Sequence, residues 1–302
     1  MDKMVYLFDE GDAAMRDLLG GKGAGLAEMT RIGLPVPPGL TVTTAVCRAY
    51  YREGGRLPAD LPALIKTALA EVEARTGRRL GDKQKPLLLS VRSVAESSMP
   101  GMMNTVLNLG INDETLPGLT AMTGNRRFAL DAYRRFLQMY ADVVLGYSKH
   151  AFDALLEERK RKAGVQLDQE LNEVQLAELV ADYKQLYARL ADKPFPSDPF
   201  EQLLQAVEAV FRSWNTERAK VYRELHAISH DLGTAVNIQA MVFGNMGATS
   251  GSGVAFTRNP ANGRKEVFGE YLVDAQGEDV VAGIRTPNPI AKLRQDMPGV
   301  YE

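Results

Sequence analysis

The chain has 302 residues, 45% of them hydrophobic, with 36 Lys+Arg against 38 Asp+Glu and a formal net charge of −2. That length and apolar content suffice for a real core in one large domain or a few lobes. The near-balanced charge argues against a nucleic-acid tract or a polybasic membrane patch, while leaving room for a small anion held by a few local cations.

Cys47 is the single cysteine, which excludes an intrachain disulfide and a cysteine-based zinc cluster and fits a reducing compartment. No apolar run reaches the length of a membrane span, and "MDKMVYLFDEGD" lacks the order of a signal peptide. The expectation is a cytoplasmic protein with neither nucleic acid nor membrane as partner.

In chain order, "MVYLFDE" reads as a first strand, and "GGKGAGLAEMTRIG" as a glycine-rich turn entering a short helix that stops at Gly33. The prolines of "LPVPPGLTVTT" forbid a helix and leave an extended segment. Thr43 or Thr44 is placed to cap a helix over "AVCRAYYREGG". Leu61, Leu64, Ile65, Ala68, Leu69 and Val72 repeat at helical spacing, and "PLLLSVRS" is the next strand. These elements make an α/β lobe over residues 1–111.

Residues 112–192 carry helical spacing almost throughout, as in Phe128, Tyr133, Phe136, Leu137, Tyr140 and Val144, and predict an all-helical lobe. The proline-rich "DKPFPSDPF" leads out of it. One long helix is predicted from about 200 to 230, with Leu203, Leu204, Val207, Val210, Phe211 and Trp214 on one side. The final stretch is β-rich: "TAVNIQAMVFGN", "SGSGVAFTRNP", "KEVFGEYLVDAQGED" and "VVAGIRTP".

Several segments could carry chemistry. In "LLGGKGAGLAEM" the glycines let backbone amides approach a ligand, with Lys22 among them and a helix beginning just after. It is not a Walker A loop, because Arg16 stands where the first glycine belongs and a glycine follows Lys22. A phosphate site and a glycine turn that packs a helix on a strand both remain open. Ser90 and Arg92 interrupt an apolar strand on one face, pointing together at something wet or anionic, unless Arg92 is an ordinary edge arginine. The loop after it offers Ser97, Ser98 and Thr105 hydroxyls and Gly101, while Met102 and Met103 suit either a core or a docking tip.

Gln239 alternates with apolar residues on a strand that leads into a glycine-rich hairpin, a slot for a flat purine or a plain hairpin. Glu270, Asp274, Glu278 and Asp279 could meet a ribose hydroxyl or magnesium, or simply face solvent. His150, His226 and His230 have no third metal ligand in pattern and read as structural; no residue is assigned to a metal.

Taken together, "SVRSVAESSMPGMMNTVLNLGIND", "GGKGAGLAEM", "GLPVPPG", "SGSGVAFTRNP" and "GEYLVDAQGEDVVAGIRTP" closely resemble the nucleotide-binding part of the pyruvate, phosphate dikinase family. That family interconverts ATP, phosphate and pyruvate with AMP, pyrophosphate and phosphoenolpyruvate. The resemblance implies an α+β, ATP-grasp-like two-lobed fold with an all-helical insertion. The divisions would be a first lobe over 1–111, the insertion over 112–197, a helix and strand returning over 198–239, and an incomplete second lobe over 240–302.

It also implies roles. Lys22 and Arg92 match the phosphate-binding cations, and Gly101, Met103, Asn104 and Thr105 lie in the loop over the phosphates. Gln239, Met241 and Val242 match the strand beside the adenine, and Glu278 lies near the ribose. Implied partners are ATP, inorganic phosphate and a phosphohistidine domain that these residues do not include, within a full-length homodimer that uses magnesium. The family's D-x-E metal pair and Q-T-R motif are absent from these residues and are expected beyond residue 302, so the fold would stop before its last strands, as a fragment or a short paralogue.

The family pattern S-V-R-S-G-A-A-x-S-M-P-G-M-M-D-T carries Val94, Glu96 and Asn104 here in place of Gly, a small apolar residue and Asp. The alternatives to a dikinase module are a phosphoenolpyruvate-synthase-like enzyme and a non-catalytic nucleotide-binding or regulatory paralogue.

Overall fold

A computed structural model describes the chain apart from residues 1, 2, 98, 100, 102, 103 and 282–284. It is an α+β structure in two compact units, Met1–Met241 and Val242–Glu302.

The first unit is built on a five-stranded antiparallel sheet in the order β1-β2-β5-β3-β4, from β1 (Val5–Leu7), β2 (Gly39–Val42), β3 (Leu89–Val94), β4 (Thr105–Leu109) and β5 (Ala235–Ala240). Long-range pairing places β5, from late in the chain, between β2 and β3. Helices α1 (Arg16–Arg31), α2 (Thr44–Arg52), α3 (Leu61–Thr76) and α8 (Pro199–Trp214) pack on these strands. Leu40, Val42, Leu89, Val91, Val236 and Ile238 are buried between them. This alternation of strand and helix faces removes most apolar area from water.

Four further helices lie between β4 and α8: α4 (Leu116–Thr123), α5 (Arg126–Val143), α6 (His150–Ala163) and α7 (Glu173–Ala191). The starts of α5 and α7 are capped by side chains. Asn125 Oδ1 accepts from the Phe128 amide at 3.0 Å, and Asn172 and Gln175 form a reciprocal capping box on α7. The proline-rich connector is anchored by Phe195, whose ring lies edge-on to Phe136, Tyr140 and Tyr187. Inside the bundle Asp131 binds Arg134 at 2.7 Å and Arg135 at 2.9 Å, and Arg134 reaches Asp168 at 2.6 Å.

Three expectations are corrected. The long helix over 200–230 is two helices, α8 and α9 (Glu217–Leu225). Asn215 ends α8, and the Thr216 hydroxyl accepts from the Ala219 amide to start α9, so a polar pair breaks a continuous apolar pattern. Second, Thr43 occupies the cap position of α2, but its hydroxyl makes no capping bond. Third, "NIQAMVFGN" and "GVAFTRNP" do not form a hairpin: β5 pairs with β2 and β3, and the next strand belongs to another sheet.

The second unit holds β6 (Gly251–Phe256), β7 (Phe268–Val273) and β8 (Asn288–Pro289) in a three-stranded antiparallel sheet, with α10 (Gly277–Val281). Residues 280–281, expected to be extended, belong to α10, which follows from "GED" offering acidic residues to a first helical turn. Arg285 ties the sheet end by donating to the Val273 and Asp274 carbonyls at 2.8 and 3.0 Å.

Candidate functional site

The glycine-rich segment is helical, which corrects the expected glycine turn: it lies inside α1, interrupted only at Gly20 with φ 71° and ψ 166°. That backbone region is open essentially to glycine alone. A Cβ at Gly20 would lie 1.9 Å from the Val94 carbonyl oxygen, so the missing side chain lets α1 press against the end of β3. The Gly21 amide then donates to the Ala95 carbonyl at 3.0 Å. A Cβ at Gly23 would meet Asn237 Oδ1 at 3.2 Å. Two of these glycines thus serve helix-to-strand packing, and the helix restarts beside Lys22 with its positive end at the strand terminus.

Arg92 sits in β3 opposite Asn237 on β5 and Thr105 on β4. It is exposed, whereas Val91 and Val94 are buried. Ser90 does not share its surroundings: it is 3% exposed, and its hydroxyl donates to the Gln239 carbonyl at 3.4 Å. The expectation that Ser90 and Arg92 face solvent together is corrected, because sheet and helices cover the Ser90 end of the strand.

Lys22, Arg92, Gly101 and Thr105 line one cleft of about 400 Å³, together with Arg16, Glu96, Ser97 and Met99. Among the described residues, three cations therefore face a single carboxylate around a space of ligand size. Converging positive charge of this kind suits a multiply charged anion, which both ammonium and guanidinium groups can bind through charge-assisted hydrogen bonds. Asn104 is not among the residues that line the cleft: its carbonyl accepts from the Ser93 amide at 3.3 Å, and its amide donates to Ser213 Oγ at 3.4 Å. Met103 lies outside the described residues.

Arg16 was not singled out as a ligand from sequence. It lies six positions before Lys22, a separation that a straight helix does not align. The Gly20 kink brings its guanidinium to Gly21, with Nη2 3.3 Å from where a Cβ would stand.

The adenine candidates have structural partners. Gln239 Nε2 donates to the Pro37 carbonyl at 3.0 Å, and the Met241 amide donates to the Leu88 carbonyl at 3.0 Å. Neither residue lines the cation cleft. Val242, 74% exposed, and Glu278, on α10, belong to the second unit.

Among the described residues no three His, Cys, Asp or Glu side chains gather as a metal site, so Glu270, Asp274, Glu278 and Asp279 do not form one by themselves. His226 stacks on Tyr222 with ring centroids 4.2 Å apart, and His230 Nδ1 accepts from Arg223 at 3.0 Å.

The family model described as pyruvate phosphate dikinase, AMP/ATP-binding domain, matches residues 16–59 and 55–301. The chain belongs to this family. Its match covers the cation cleft and all of the second unit up to residue 301. Among similar proteins, pyruvate, phosphate dikinase of Clostridium symbiosum is 52% identical over 303 residues, covering 100% of this chain and 35% of the relative. The Rhizobium meliloti (strain 1021) enzyme is 53% identical over 97% of this chain and 33% of its own length. The chloroplastic pyruvate, phosphate dikinase 1 of Oryza sativa subsp. japonica is 56% identical over 99% of the chain and 32% of its own length. This member of the AMP/ATP-binding domain family thus spans about a third of the length of the curated relatives it matches. Among the described residues, no helix is long and apolar enough to cross a membrane.

Proposed function

We propose that this chain is the ATP- and phosphate-binding part of a pyruvate, phosphate dikinase, with an ATP-grasp arrangement. Within it, 1–111 is the first lobe, 112–197 a helical insertion, 198–239 a return to the first lobe, and 240–302 the second lobe. The observation that carries this reading is the convergence of Arg16, Lys22 and Arg92 on the cleft that Gly101 and Thr105 also line.

In this reading the nucleotide's phosphates lie against the three cations. The Gly20 kink sets the backbone of Lys22 and the β3–β4–β5 ladder that of Arg92, so both side chains start from fixed points beside the cleft. Phosphoryl transfer asks the protein mainly for positioning and charge neutralisation. Each charge-assisted contact contributes about 1.5–3 kcal/mol. Gln239, Met241 and Val242 are assigned to the adenine side and Glu278 to the ribose. The acceptor is a histidine on another part of the enzyme, which binds and converts pyruvate elsewhere, in a homodimer. Magnesium accompanies the nucleotide, with ligands beyond the described acids.

The test uses a full-length enzyme containing this sequence. Arg92→Ala is expected to slow the ATP half-reaction by more than about tenfold, given the energy of one charged contact, while phosphoenolpyruvate–pyruvate exchange stays nearly intact. Equal loss of both partial reactions would make Arg92 structural and remove the reading.

A further inference from the structure

Arg223 is fully buried, yet among the described residues its hydrogen-bond partners include no carboxylate. Its guanidinium lies 4.1 Å from the centroid of the Trp214 ring and donates to the Trp214 carbonyl, to Asn215 Oδ1 at 3.3 Å and to His230 Nδ1 at 3.0 Å. The Trp214 indole nitrogen donates to the His230 carbonyl at 3.1 Å. A cation taken out of water is costly unless acceptors surround it, so this arrangement locks the break between α8 and α9 into one geometry.

Two contacts run from that junction to the cation cleft. Met99, which lines the cleft, is 7% exposed and packs in one buried cluster with Trp214 and Ala219. Ser213, the neighbour of Trp214, accepts through Oγ from the Asn104 amide. Asn104 in turn closes the turn-side end of the ladder that pairs Arg92 with Thr105.

We propose that the α8–α9 junction is a positioning device for the cleft, with Met99 and Arg223 as positioning residues. Met99 transmits the place of the indole to the cleft wall. Arg223 holds the indole and the carbonyl end of α8, and through Ser213 fixes the strand pair that presents Arg92 and Thr105. Arg223 does not line the cleft, and Met99, which does, is largely covered by the Trp214 cluster.

Trp214 is the single tryptophan, so its emission reports on this junction alone. The ligand arm of the test rests on the nucleotide reading of the cleft; the exchange arm does not. On the 302-residue chain, ATP is titrated by calorimetry and by Trp214 emission for wild type, Met99→Ala and Met99→Leu. ATP is expected to shift the emission of wild type. Met99→Ala should lose that shift and weaken binding by about tenfold, and the volume-conserving Met99→Leu should restore both.

Amide hydrogen exchange is measured on the same proteins and on Arg223→Met. Faster exchange in β3 and β4, with α5 and α7 unchanged, is expected for Met99→Ala and Arg223→Met. ATP that binds without any Trp214 response, or wild-type affinity in Met99→Ala, would overturn the proposal. If wild type takes up no ATP, exchange alone decides, with unchanged β3 and β4 overturning the positioning role, while the nucleotide reading is judged by the full-length half-reaction. Should Arg223→Met not fold, the Met99 pair carries the same comparison.

Discussion

The Gly21 amide donates to the Ala95 carbonyl at 3.0 Å, joining the restart of α1 to the end of β3. Lys22 follows immediately on one side of this bond, and Arg92 lies three residues before it on the other. A single backbone contact therefore sets the spacing of two cations that lie far apart in sequence.

That contact depends on Gly20. Gly20→Ala forces a side chain into a glycine-only backbone region and onto the Val94 carbonyl, whereas a Cβ at Gly25 meets nothing within 4 Å. Backbone strain alone should cost Gly20→Ala about 1–3 kcal/mol. Gly25→Ala should stabilise the chain by about 0.5–1 kcal/mol through helix propensity. Urea unfolding of the two variants checks both signs, and a Gly20→Ala protein as stable as wild type would refute the packing role.

Among the described residues, Glu96 is the one carboxylate beside the cleft's cations. Its charge opposes any anion bound there, so Glu96→Gln should tighten phosphate or ATP binding roughly threefold or more at low ionic strength, and less as salt screens the field. Titration of both proteins at low and high ionic strength decides this. Weaker binding in the variant would mean that Glu96 serves the ligand directly.

Burial alone would raise the Asp131 carboxyl, but the guanidinium groups of Arg134, Arg135 and Arg127 outweigh it and hold the pKa well below the usual 3.8. A depressed carboxyl contributes stability that is present above its unfolded-state value and is lost as pH falls below it. Asp131→Asn takes one of two carboxylates from buried Arg134, leaving Asp168 at 2.6 Å, and should cost at most about 3–5 kcal/mol at neutral pH. The wild-type advantage should shrink below pH 3.8, as followed by circular dichroism in an acid titration.

Burial pushes the Cys47 thiol up from 9.0 to about 11. Its contribution to stability is complete below the unfolded-state value and is lost as pH rises from about 9 towards 11. Iodoacetamide should therefore label native Cys47 only at the rate at which the chain opens, and denaturant should release it. Rapid labelling of the folded chain would contradict the burial. Cys47→Ala should lack this part of the alkaline loss.

Local pattern reached the element types where one physical signal dominated. Phe136, Leu137 and Tyr140 announced a buried helix face because 3.6-residue spacing needs no distant partner to be read. Arg92 stood out because a charge within an apolar strand demands an explanation. The break at Asn215–Thr216 was missed because the apolar stripe up to Trp214 suggested continuity, while the capping bonds that end and restart the helix are local and polar. The supposed hairpin after Gln239 failed for another reason: strand pairing is a choice among distant partners, and β5 is taken by β2 and β3.

The sequence by itself determined the core-forming helices, the isolation of Cys47, the family motifs and the identity of two cleft cations, Lys22 and Arg92. These follow from composition, periodicity and motif, which are properties of neighbouring residues. Only the tertiary structure decided that the glycines of α1 serve close packing, that Arg16 and Glu96 join the cleft, and that Met99 rests on the Trp214–Arg223 junction. Each of these depends on a steric or electrostatic contact between segments far apart in the chain, and such contacts exist only once β5 has been placed between β2 and β3.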